Sequence, residues 1–116
     1  MTINEYQLKA HETASYPDGT VGKDAHAVDY IYPALGLAEE AGEVAGKYAK
    51  AVRDNQGVID YDRKQEIIKE LGDVCWFVSE LAFTLGVSLE EVMQKNIDKL
   101  ASRKERGVLH GSGDNR

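Results

Sequence analysis

Two short runs of acids carry the chemistry this chain could perform. They are Glu39-Glu40-Ala41-Gly42-Glu43 and, 26 residues later, Glu70-Leu71-Gly72-Asp73. Glu40 and Glu43 stand at i and i+3, as do Glu70 and Asp73, and such residues are neighbours on a helix face. At a shift of 30 residues the two pairs superpose, Glu40 on Glu70 and Glu43 on Asp73. At about 100° per residue, each pair lies about 60° and 120° to the same side of an apolar stripe. The stripes are Leu37, Ala41, Val44, Tyr48 and Ile67, Leu71, Val74, Val78. A solvated acidic flank explains any one of these residues, but it explains a repeat on consecutive helices less well. If the flanks converge, the four carboxylates cannot all remain ionised without a cation between them. Oxygen-only ligands suit a hard ion, Mg²⁺ or Mn²⁺. A di-iron bundle contributes Glu-x-x-His, a tetrapeptide this sequence lacks.

The basic residues suggest what such a cation would serve. Lys47 and Lys50 continue the acidic flank. Further on, Leu89, Met93 and Leu100 define a stripe that contains Asn96, with Lys99 and Arg103 to one side. Charge-assisted donors of this kind suit phosphate oxygens, so the acids and bases together describe a metal–polyphosphate site. The overall balance, 20 Asp plus Glu against 14 Lys plus Arg for a net charge of -6, argues against binding a nucleic-acid polymer, which requires a basic face. A small anion held through a metal is compatible with it. The lone Cys75 and three scattered histidines do not make a Cys/His zinc site. No run of about 18 apolar residues suggests a membrane span. The start, Met1-Thr2-Ile3-Asn4-Glu5-Tyr6, lacks the basic and apolar blocks of a signal peptide, so the expected location is the cytoplasm.

Helices must position these groups. Thr2-x-x-Glu5 is a capping-box signature for a first helix over about 3–15. Pro17-Asp18-Gly19 marks a loop over 17–24, and 25–32 reads ambiguously. Pro33 suits a first turn, which starts a second helix near 32 and carries it to Arg53. Asp62-x-x-Gln65 opens a third, about 62–85, closed by Gly86. Ser88-x-x-Glu91 caps a fourth, about 89–105. The reading is an all-α, four-helix bundle over 1–106 with a flexible tail over 107–116. Gly42 and Gly72 each lie mid-helix between two acids, either to let helices approach or to leave room for a ligand. Val74-Cys75-Trp76-Phe77-Val78 is apolar on every side of its helix, which implies that one side meets another subunit.

These residues resemble a known family. The E-E-x-x-E … E-x-x-D pattern is similar to the signature of the all-α nucleoside triphosphate pyrophosphohydrolases. The run Leu35-Gly36-Leu37-Ala38-Glu39-Glu40-Ala41-Gly42-Glu43-Val44 resembles the MazG branch, as does Asn96-Ile97-Asp98-Lys99-Leu100 followed by Arg103. With one such unit, the chain looks like the short single-domain members, including those of phages. The resemblance implies a Mg²⁺-dependent cleavage, with Mn²⁺ able to substitute, of a nucleoside triphosphate to its monophosphate and pyrophosphate. The resemblance to the phage-type members implies deoxynucleotides as the favoured substrate. It implies Glu40, Glu43, Glu70 and Asp73 as metal ligands, and Glu39 as a further ligand or as the acceptor of the water's proton. Asn96 and Lys99 would contact phosphate or sugar, with Lys47, Lys50 and Arg103 as further contacts. It also implies a homodimer or homotetramer in a (host) cytoplasm. Phosphoribosyl-ATP hydrolysis and a non-catalytic nucleotide-binding module are the alternatives. Base recognition stays open among Tyr30, Tyr32, Tyr48, Trp76 and Phe77 as stacking groups and Asn4, Gln7 and His26 as edge readers.

Overall fold

The computed structural model describes residues 1–15 and 27–116, with side chains from Ile31 onward in the second segment. The loop expected over 17–24 and His26 lie outside the described residues, as does the Tyr30 side chain. Four α-helices and no strands occur among them: α1 Ile3–His11, α2 Ala27–Asp54, α3 Tyr61–Thr84 and α4 Leu89–Glu105. The all-α expectation therefore holds, and α4 has the expected bounds. No single helix among the described residues is long and apolar enough to cross a membrane.

The helix ends show the local rules at work. At α1 the capping box is complete: Glu5 N–H donates to Thr2 Oγ1 at 3.1 Å, and Thr2 N–H donates to Glu5 Oε2 at 2.6 Å. α1 stops at His11, short of residue 15. Thr13 N–H turns back to Ala10 O at 3.0 Å, and the Trp76 indole N–H of α3 also donates to that carbonyl at 3.1 Å. α3 is capped by Asp60, whose Oδ1 accepts from Arg63 N–H at 2.9 Å, so the cap stands two residues before Asp62. Ser88 caps α4 as expected, accepting from Glu91 N–H at 3.0 Å. Gly86 closes α3 at φ 73°. Its N–H reaches Phe83 O at 2.9 Å, and Val87 N–H reaches Ala82 O at 3.0 Å, the paired bonds of a Schellman motif that needs a left-handed residue.

α2 begins earlier than expected and carries Pro33 in its interior. An internal proline forfeits one backbone hydrogen bond and costs about 3 kcal/mol. Here its ring is fully buried, so packing offsets the loss. The buried or half-buried side of α2 runs Pro33, Gly36, Leu37, Glu40, Val44, Lys47, Ala51, and that of α3 runs Arg63, Ile67, Glu70, Val74, Phe77, Leu81. The stripes are thus rotated from those expected. Tyr48 and Leu71 are 50% and 47% exposed, while Glu40, Lys47 and Glu70 sit in the contact face. The cause is one close approach: a Cβ on Gly36 would lie 2.1 Å from the Phe77 ring, so only glycine lets that ring seat against α2.

Among the described residues α2 packs on α3 alone, whereas α1 and α4 meet α3 and each other. α4 leaves α3 at 101°, and residues 90–102 along it are exposed. Only Leu89 and Arg103, at its two ends, are buried. The radius of gyration is 17.2 Å, against about 13 Å for a compact hundred-residue domain.

A polar seam holds α1 and the α3–α4 corner to α3. The Gln7 amide is used at both atoms, Nε2 donating to Val87 O at 3.1 Å and Oε1 accepting from Leu89 N–H at 3.0 Å. Asn4 Nδ2 donates to Glu90 Oε2 at 2.6 Å. These two amides, considered above as base readers, are committed within the fold. The Trp76 N–H is likewise held by α1, also reaching Thr13 Oγ1 at 2.8 Å. Fully buried Glu80 places Oε2 3.1 Å from His11 Nδ1, and the His11 ring stacks on Phe83 at 3.6 Å.

Candidate active site

The antiparallel α2–α3 pair brings acids together across its seam. Glu40, Glu70 and Asp73 each offer a carboxylate oxygen, all within 4.8 Å of one another. Glu40 and Glu70 come from the contact face, and Asp73 stands one turn beyond Glu70 at the exposed edge. Partial burial, and then repulsion from Asp73, Glu39, Glu70 and Glu43, push the Glu40 carboxyl above its ordinary range. Bare carboxylates in this geometry repel one another, and a divalent cation removes that cost. The donor set, oxygen atoms alone on a rigid pair of helices, fits a hard cation.

The other expected residues fall into three groups. Glu39 and Glu43 are exposed on α2 beside the trio, near enough to act on Glu40 but outside the converging set. Lys47 joins the cluster directly: its Nζ is 3.3 Å from Glu70 Oε1 and 3.5 Å from Glu66 Oε2. Arg63 braces the same seam, with Nη1 donating to Lys47 O at 3.1 Å. Lys50 faces the end of α2, where it acts on Asp54 together with Arg53 and Arg63. Asn96, Lys99 and Arg103 are on α4, which makes no packing contact with α2 among the described residues. Among the described residues a single copy of the chain therefore brings three of the expected acids together with Lys47 and leaves Asn96, Lys99 and Arg103 on a separate element.

Gly42 and Gly72 flank the trio, and a Cβ on either would meet nothing within 4 Å. Neither serves helix approach within the chain, and both leave open space beside the carboxylates. Gly36, which does serve approach, was not singled out from the sequence. Its signal was present as a glycine one turn before the acidic run. The His11–Glu80 pair was also missed, although an acid within the apolar stretch Val74–Phe83 is a visible anomaly.

A seam of carboxylates on an all-helical hairpin is an arrangement that could hold a divalent cation. The MazG nucleotide pyrophosphohydrolase domain matches residues 33–108, and the chain belongs to that family. Among its relatives, the Gene 37 protein of Mycobacterium phage L5 is 45% identical over 116 residues, covering 100% of both chains. The uncharacterized protein YvdC of Bacillus subtilis (strain 168) is 41% identical over 78 residues, 60% of this chain and 70% of the relative. No solved structure matches the chain at a significant level.

Proposed function

We propose that this chain hydrolyses a nucleoside triphosphate, in its deoxy form, to the monophosphate and pyrophosphate, using Mg²⁺ held by Glu40, Glu70 and Asp73 with Glu43 beside them. The convergence of three carboxylate oxygens within 4.8 Å across the α2–α3 seam carries this reading. When bound, the ion supplies charge neutralisation at the phosphates and a more acidic water. Glu40, Glu70 and Asp73 hold it. Glu39, exposed beside them, takes the proton released as the water oxygen bonds to phosphorus and the α,β-bridge breaks with pyrophosphate as leaving group. Lys47 screens Glu70 and offers its ammonium to a phosphate oxygen. Lys50, Asn96, Lys99 and Arg103 supply further contacts to phosphate or sugar.

The working form is a homodimer or homotetramer. Its support is the open shape, with Met93, Ile97 and Leu100 exposed at helical spacing on α4, since an apolar stripe on a helix is normally covered. Association would also allow α4 of one copy to approach the acids of another. The test is a panel of ribo- and deoxyribonucleoside triphosphates and phosphoribosyl-ATP, incubated with purified protein and Mg²⁺. Release of pyrophosphate from a deoxynucleotide is the expected outcome. Orthophosphate release, or no turnover of any substrate, rejects the reading.

A further inference from the structure

The basic pair on α4 is already engaged. Arg103 is 5% exposed because residues 108–116 fold back over it. Its Nη2 donates to Asp114 O at 2.6 Å and lies 3.5 Å from both Gly113 O and Asp114 Oδ1. Lys99 Nζ lies 3.6 Å from the same Asp114 Oδ1. The segment is itself tied down. Arg106 Nη2 donates to Arg116 O at 2.9 Å, and the Arg116 guanidinium donates to the carbonyls of Gly113 at 2.6 Å, Leu109 at 3.1 Å and Val108 at 3.3 Å.

Two features give this contact the character of an oxyanion site filled from within. A carboxylate oxygen lies between an ammonium and a guanidinium, the arrangement that receives a phosphate oxygen. The guanidinium is also under-used: Arg103 Nε is buried with no hydrogen-bond partner among the described residues. Beside Lys99 opens a shallow cleft of about 410 Å³, lined by Val92, Lys95, Asn96 and Lys99. Lys99, and then Arg103, hold the Asp114 carboxyl below the ordinary carboxylate range, so the stand-in is ionised at neutral pH.

We propose that residues 108–116 form an autoinhibitory strap, in which Asp114 occupies the Lys99–Arg103 pair and must be displaced before those side chains bind substrate phosphate. The inference rests on the phosphate-binding role assigned to Lys99 and Arg103 above. Displacement exchanges one oxyanion for another and involves no covalent change. A triphosphate carrying several charges outcompetes a single, largely exposed carboxylate held by contacts of 3.5 and 3.6 Å. The strap raises the substrate concentration needed for occupancy and leaves the chemical step unaltered.

Two variants of the full chain dislodge the strap by different means. Asp114→Ala removes the competing charge. Gly113→Val keeps every charge but places a β-branched residue at φ 85°, a conformation L residues rarely hold. Affinity for inorganic tripolyphosphate with Mg²⁺ is measured by calorimetry, KM and kcat by pyrophosphate release, and amide exchange over 108–116 by mass spectrometry. The expected result is a two- to fivefold gain (about the range of exposed ion pairs) in tripolyphosphate affinity for both variants. KM falls in parallel at constant kcat, and tripolyphosphate speeds wild-type exchange over 108–116. Unchanged or weaker affinity in both well-folded variants overturns the strap and leaves the hydrolase reading intact if wild type turns over. Strap release by tripolyphosphate without turnover of any nucleotide upholds the strap and rejects the hydrolase. Absence of both tripolyphosphate binding and turnover rejects both.

Discussion

The α2–α3 hairpin and α4 with its tail make opposite use of charge. In the hairpin, like charges are forced together: Glu40, Glu70 and Asp73 converge, with Lys47 as the nearby cation. On α4, opposite charges meet, exposed Lys99 and buried Arg103 against Asp114. The first arrangement is costly without a ligand, and rigid packing imposes it. The second is charge-paired without one and rests on a segment outside the helical core. The acidic cluster of the hairpin and the ion pairs between α4 and the tail are therefore physically distinct. One awaits a ligand to relieve repulsion, and the other must surrender a partner to gain one.

The largest expected effect breaks the hairpin half. Glu70→Gln, Glu40→Gln or Asp73→Asn keeps shape and removes a ligand charge, and pyrophosphate release should fall by about 100-fold or more. Circular dichroism should remain that of wild type, since exposed and half-buried isosteric changes disturb packing little. Next comes the contact that sets the hairpin's rotation. Gly36→Val forces atoms into the Phe77 ring, 2.1 Å from the new Cβ, and should cost about 1–3 kcal/mol in urea unfolding. Mn²⁺ affinity should weaken with it, because the two helices carry the ligands.

A smaller change tests the α4 side. Ile97→Asp alters a residue that is 60% exposed in one copy. Folding stability of the single chain should change by about 0.5 kcal/mol or less, while association measured by sedimentation should weaken by about tenfold. Unchanged sedimentation would place the subunit contact elsewhere. Gly72→Ala sharpens the comparison further. With nothing within 4 Å of the added Cβ, it should stabilise the helix by about 0.5–1 kcal/mol in thermal unfolding. A loss instead would mean that another copy packs there.

The smallest effect is the pH response of the tail. Lys99 and Arg103 face Asp114 and depress its carboxyl. A depressed acid adds stability above its unfolded pKa and loses it as pH falls through the folded one. The tail should therefore stay docked at neutral pH and release only below the ordinary carboxylate range. Amide exchange of residues 108–116 against pH measures this, and in Asp114→Ala the step should vanish.

Much of this was legible in the residues themselves. Thr2 with Glu5, Ser88 with Glu91, and Gly86 marked helix ends correctly, because caps are contacts among residues three or four apart. The acidic pairs were visible for the same reason. The start of α2 was not, since Pro33 argues locally for a first turn and only its burial makes an interior place tolerable. Gln7 and Asn4 looked like free amides because their partners, Val87, Leu89 and Glu90, lie 80 to 86 residues away.

By itself the sequence determined that the chain is helical, where most helices end, and that two of them carry paired acids. Tertiary structure decided which acids meet. The Gly36–Phe77 approach rotates α2 on α3, so Glu40 and Glu70 enter the seam while Tyr48 and Leu71 turn outward. It also decided that Lys99 and Arg103 are held by Asp114. The division has a physical origin. Helix periodicity and caps depend on backbone bonds within one turn. The rotation and offset of one helix against another depend on side-chain volumes at a few points of closest approach, and no local pattern encodes them.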